Sequence, residues 1–72
     1  STTISYRLGS RQTVHLSVCD ILGRELAVLV RGEQEAGLQT ARWNAGTLAA
    51  GVYFFRLRSG TTVTAVKAVL AR

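Results

Sequence analysis

Apolar and polar residues alternate along most of the chain. From Thr2 to Leu8, Ile4, Tyr6 and Leu8 interleave with Thr3, Ser5 and Arg7, the period of a strand with one buried face. Gly9-Ser10 marks a turn. From Gln12 to Cys19, Val14, Leu16 and Val18 fall on one face and Thr13, His15, Ser17 and Cys19 on the other, so the two segments are expected to pair as a hairpin. Asp20-Ile21-Leu22-Gly23-Arg24 interrupts the alternation with a short acid able to accept neighbouring amides and a glycine able to take positive φ.

Leu22, Leu26, Leu29 and Val30 would also line one side of a helix. Gly23 and Gly32 leave only eight residues between them, too few for a stable helix, so Glu25 to Val30 reads as a third strand. Arg31 to Gly37 reads as a polar loop. Gln39, Ala41 and Trp43 then share one face of a fourth strand, and Asn44-Ala45-Gly46-Thr47 ends it. Val52 to Leu57 follows Gly51 with apolar groups on both faces until the arginines begin, the pattern of a central strand. Ser59-Gly60 reads as a two-residue turn in a hairpin from Arg56 to Val63, and Thr61 to Leu70 as the returning strand. Strands at this spacing, with turns between them and no strong helix, define an all-β fold: a small antiparallel β-sandwich of six to seven strands. Its expected core holds Leu16, Val18, Trp43, Tyr53, Phe55 and Leu57.

Composition agrees with that reading. Eighteen of the 72 residues are β-branched, a bias toward strands, and the length fits one small domain, residues 1–72. With 47% apolar and 18% charged residues the chain reads as folded. One cysteine makes no internal disulfide, and one cysteine with one histidine does not close a structural zinc site. The net charge of +5 raises nucleic acid as a partner, yet the eight arginines stand singly, with no basic run, so none is expected. No apolar stretch is long enough for a transmembrane segment, and the first residues do not show a basic-then-apolar leader pattern. A start at Ser1 and the absence of methionine suggest a module excised from a larger protein.

Few residues invite chemistry. Cys19 beside Asp20, with His15 four residues back, has the types of a nucleophilic pair. In a strand their Cα atoms stand about 13 Å apart, and no third group orients them, so Cys19 reads as a small strand residue and His15 as a solvated one. Asp20, Glu25, Glu33 and Glu35 specify no acid–base pair. The glycines form no phosphate loop. No catalytic residue, cofactor site or metal site is expected. Trp43, Tyr53, Phe54 and Phe55 read as core, except that Phe54, pointing away from its neighbours, is available to a partner or a second sheet.

In order along the chain, Thr2-Thr3-Ile4-Ser5-Tyr6, Val18-Cys19-Asp20-Ile21-Leu22-Gly23-Arg24, Gly37, Trp43-Asn44, Leu48-Ala49-Ala50-Gly51-Val52-Tyr53 and Lys67-Ala68-Val69-Leu70-Ala71-Arg72 resemble the type A C-terminal sorting domain of the type IX secretion system. That family is immunoglobulin-like and related to the flagellar hook-cap immunoglobulin-like domain. The resemblance covers the whole chain. It includes a D-x-x-G-R turn, an L-x-x-G-x-Y motif and a closing strand with a lysine and a basic end. It implies Asp20, Gly23, Arg24, Leu48, Gly51, Tyr53, Lys67, Val69 and Arg72 as the recognition or structural motif.

What the resemblance implies is a non-enzymatic signal that directs its parent protein through the periplasm and across the outer membrane, to secretion or the cell surface. The implied partners are the outer-membrane translocon, a sortase-like peptidase and the parent's other domains. The rival readings are a module binding carbohydrate or protein through Trp43 or Phe54, and a structural spacer of a larger extracellular enzyme.

Overall fold

Each alternating segment becomes a strand. The computed structural model describes residues 2–46 and 48–71, and their elements are β1 (Thr2–Leu8), β2 (Gln12–Cys19), β3 (Glu25–Gln34), β4 (Gly37–Trp43), β5 (Gly51–Ser59) and β6 (Thr62–Leu70), with no helix. All pairings are antiparallel. β1 and β4 form a two-stranded sheet, and β3-β2-β5-β6 form a four-stranded one. The result is the expected small immunoglobulin-like sandwich, at the lower of the two expected strand numbers among the described residues.

Three expectations about connectivity need correction. β1 does not pair with β2: it pairs with β4, from Thr2↔Trp43 to Leu8↔Gly37, while β2 lies between β3 and β5. Both strands carry one apolar face, and facing each other across a core buries both, whereas lying side by side would leave both in need of the same cover. Residues 9–11 therefore carry the chain between sheets. The polar segment after Val30 is not a loop either, since β3 runs on to Gln34 with Val14↔Gly32 and Gln12↔Gln34 in register. An edge strand tolerates polar side chains because its outer side faces water, and the connection to β4 shrinks to Glu35-Ala36. The last hairpin turns one residue later than expected: Ser59 pairs with Thr62, which leaves Gly60-Thr61 as the loop.

Leu16, Val18, Trp43, Tyr53 and Phe55 form the buried core, with Ile4, Tyr6, Ala41, Leu48 and Leu70 packed around it. The Trp43 indole meets Tyr53 and Phe55 edge-on, at 5.6 and 5.3 Å between ring centroids. Leu57, expected in the core, is half-buried. It lines an apolar groove of about 170 Å³ with Ile4, Tyr6, Phe55 and Val66, where two strands fail to cover four. Val66 is 58% exposed although it pairs with core residue Phe55.

Candidate recognition surface

The β2–β3 connection is built by one side chain. Asp20 Oδ1 accepts the backbone amides of Leu22 and Arg24, both at 2.9 Å, and Oδ2 accepts Arg24 Nε at 2.7 Å. The main chain closes the same turn, with the Gly23 amide donating to the Asp20 carbonyl and the Asp20 amide to the Arg24 carbonyl, each at 3.0 Å. Gly23 sits at φ +83°, a region open to glycine and strained for most other residues. Partial burial, the largest single influence, pushes the Asp20 carboxyl upward. The hydrogen bonds from the Arg24 amide and guanidinium and the Leu22 amide, with the Arg24 charge, together outweigh it and hold the group below the usual carboxylate range. What this ordered turn exhibits is apolar: Ile21 and Leu22 are 71% and 73% exposed.

The L-x-x-G-x-Y segment is a second fastening. Leu48 packs against the core and its amide donates to the Ala45 carbonyl at 3.0 Å. Buried Tyr53 sends its hydroxyl back to the Ala49 carbonyl at 2.6 Å. The tyrosine thus ties the approach of β5 to its own strand. At Gly51, where β5 begins, an added side-chain carbon would have nothing within 4 Å, so its role is not one of tight packing.

Antiparallel order brings the three motifs to one end of the four-stranded sheet. β2 ends at Cys19, just before the Asp20 turn; β5 begins beside it, with Cys19↔Phe54; and β6 ends there, with Gly51↔Leu70 and Val52↔Val69. Phe54 and Lys67 are opposite each other on the side away from the core, next to the Val52–Val69 pair. Val69 is 70% exposed and Phe54 half-buried. This end therefore presents Ile21 and Leu22 on a rigid turn, a small apolar patch on β5 and β6, and the cations Arg24 and Lys67. Arg72 lies outside the described residues. Sequence reasoning singled out Phe54 and the motif residues but passed over Ile21 and Leu22, whose signal was two large apolar residues inside a turn.

On the same outer face, His15 Nε2 lies 2.9 Å from Glu25 Oε2, which Arg56 also approaches at 3.6 Å. The hydrogen bond with His15, first, and the charges of His15 and Arg56 hold the Glu25 carboxyl below its usual range, against some burial. Serine, histidine and glutamate here are not a catalytic triad. Ser17 is fully buried with its Oγ 3.8 Å from Cys19 Sγ, and His15 Nε2 faces Glu25, where a triad needs it to face the serine. Cys19 is itself buried, which fits its reading as a packing residue. Trp43 is 4% exposed, which removes it as a platform for stacking sugars and leaves Phe54, half-buried, as the other aromatic group that reading named.

An ordered turn, a tied-down strand start and an exposed apolar patch at one end of a sandwich describe a module read by its surface. A family model for secretion system C-terminal sorting domains matches residues 1–71, and the chain belongs to that family. Such domains are non-catalytic C-terminal signals for type IX secretion, which takes their parent proteins through the periplasm to secretion or attachment at the cell surface. The chain matches no curated protein and no solved structure.

Proposed function

We propose that residues 1–72 act as one sorting and attachment domain of a longer secreted protein, and that the outer-membrane translocon reads the sheet end carrying Asp20–Arg24, Gly51–Tyr53 and Lys67–Val69. The observation that carries this reading is the convergence of three segments far apart in sequence on one end of one sheet. Asp20, Gly23, Leu48, Gly51 and Tyr53 shape the surface without needing to touch the receptor. Ile21, Leu22, Arg24, Lys67 and Val69 supply the contacts, an apolar patch with a positive rim of the kind that docking surfaces use. A sortase-like peptidase then releases the domain and joins the passenger to the surface. Nucleic acid is not a partner in this reading.

The test separates shape from contact. Leu22→Ser with Val69→Ser removes exposed apolar groups, and changes at exposed positions usually alter stability by less than about 0.5 kcal/mol. In a host with type IX machinery, a passenger carrying this double variant is expected to stay in the periplasm while the domain melts within a few degrees of the parent. Unimpaired export of the folded variant would place the receptor contact elsewhere.

A further inference from the structure

The cross-strand register sets three ionisable side chains in a row on the outer face of the four-stranded sheet, away from the sorting motifs. His15 of β2 is directly opposite Arg31 of β3 on one side and Arg58 of β5 on the other. Together with Thr13 and Gly60 they line an open hollow of about 380 Å³. Two guanidinium groups gathered at one hollow repel each other unless something neutralises them, and the chain's own acids are committed elsewhere. Asp20 holds Arg24, Glu25 holds His15 and Arg56, and Glu33 and Glu35 both hold Arg11. Glu33, opposite Thr13 at the border of the hollow, is taken by Arg11 at 2.5 Å. Arg31 and Arg58 thus face the hollow with no carboxylate partner among the described residues.

We infer that this row binds a phosphate group, free or borne on a lipid headgroup. Arg31 and Arg58 stand two strand spacings apart, about 10 Å between Cα atoms, a span their side chains close from opposite sides. Each guanidinium offers a planar fork of N–H donors that matches two oxygens of an oxyanion. A tetrahedral phosphate has enough oxygens for both forks at once, whereas a planar carboxylate satisfies one. Thr13 adds a hydroxyl from the same face of β2, and His15, held through Nε2 by Glu25, floors the row between the arginines. Gly60 has no side chain to close the mouth at the β5–β6 turn, so a phosphate still attached to a larger molecule has an exit. One short row serves one phosphate and does not track a nucleic-acid backbone.

Titration of the 72-residue chain with inorganic phosphate, followed by amide chemical shifts, tests this directly. Saturable shifts at Arg31, His15 and Arg58 are expected. Arg31→Gln with Arg58→Gln should weaken binding by about tenfold or more, and Arg7→Gln with Arg42→Gln, which removes the same charge from the other sheet, by less than about threefold. Vesicles of phosphatidylglycerol in phosphatidylcholine, against phosphatidylcholine alone, identify the source. Retention on the anionic vesicles that the Arg31/Arg58 variant loses and the control variant keeps points to a headgroup, and saturation by free phosphate without such retention points to a soluble or glycan-borne group. Equal weakening in both double variants would reduce the effect to net charge and overturn the site, as would the absence of both saturable shifts and vesicle retention.

Discussion

Trp43 is the side chain on which the core turns: it comes from the two-stranded sheet and meets Tyr53 and Phe55 of the other edge-on. Truncating a buried tryptophan removes both transfer energy and packing, about 3–5 kcal/mol. In a chain of this length, where each kcal/mol moves Tm by about 4–8 °C, Trp43→Ala is expected to lower Tm by at least about 12 °C or to leave no cooperative transition. A variant melting within a few degrees of the parent would put the indole outside the core. The burial of Trp43, Tyr53 and Phe55 was legible because period-two alternation assigns a face to every residue of a strand. The half-burial of Leu57 was not, since it depends on how many strands the opposite sheet has. Nor was the bond from Tyr53 to the Ala49 carbonyl, which needs the path of a loop that no periodicity describes.

Elements were easier to read than their partners. The alternation marks five of the six strands near their observed limits, whereas it ends β3 at Val30 because the polar run Arg31–Gln34 looks like a loop. The β1–β2 hairpin was expected from proximity in sequence, and it failed because two apolar faces gain more by opposing than by adjoining. The Asp20 turn, by contrast, was written in the residues, since a short acid followed by a glycine three positions on is a local device that needs no tertiary help. Its energetics have a definite sign with pH. The Asp20 carboxyl is held below its ordinary value of 3.8, so the unfolded chain binds the proton more tightly. The stabilisation is therefore complete above that value and is lost as pH falls through the lower folded value. Glu25 is shifted in the same direction. Tm is accordingly expected to decline as the solution is acidified below about pH 4. Asp20→Asn, which keeps an acceptor for the amides and gives up the charge facing Arg24, should show a shallower decline. An unchanged acid slope in that variant would mean that the charge on Asp20 adds nothing to the fold.

At the scale of the molecule, two strands lie over four, and the motif segments that lie far apart in the sequence become neighbours at one end of the larger sheet. Their order along the chain pointed to the family, but their convergence follows from β2, β5 and β6 being adjacent and alternately directed, which is a property of the topology. The same topology aligns Arg31, His15 and Arg58, three residues with no visible relation in sequence. A folded surface is therefore what the secretion machinery has available to read. The direct measurement is the fate of a neutral passenger fused, behind a signal peptide, to residues 1–72 in a host with the type IX machinery. The passenger is expected outside the outer membrane with the intact domain. A passenger that remained in the periplasm while the attached domain was folded would contradict the sorting function.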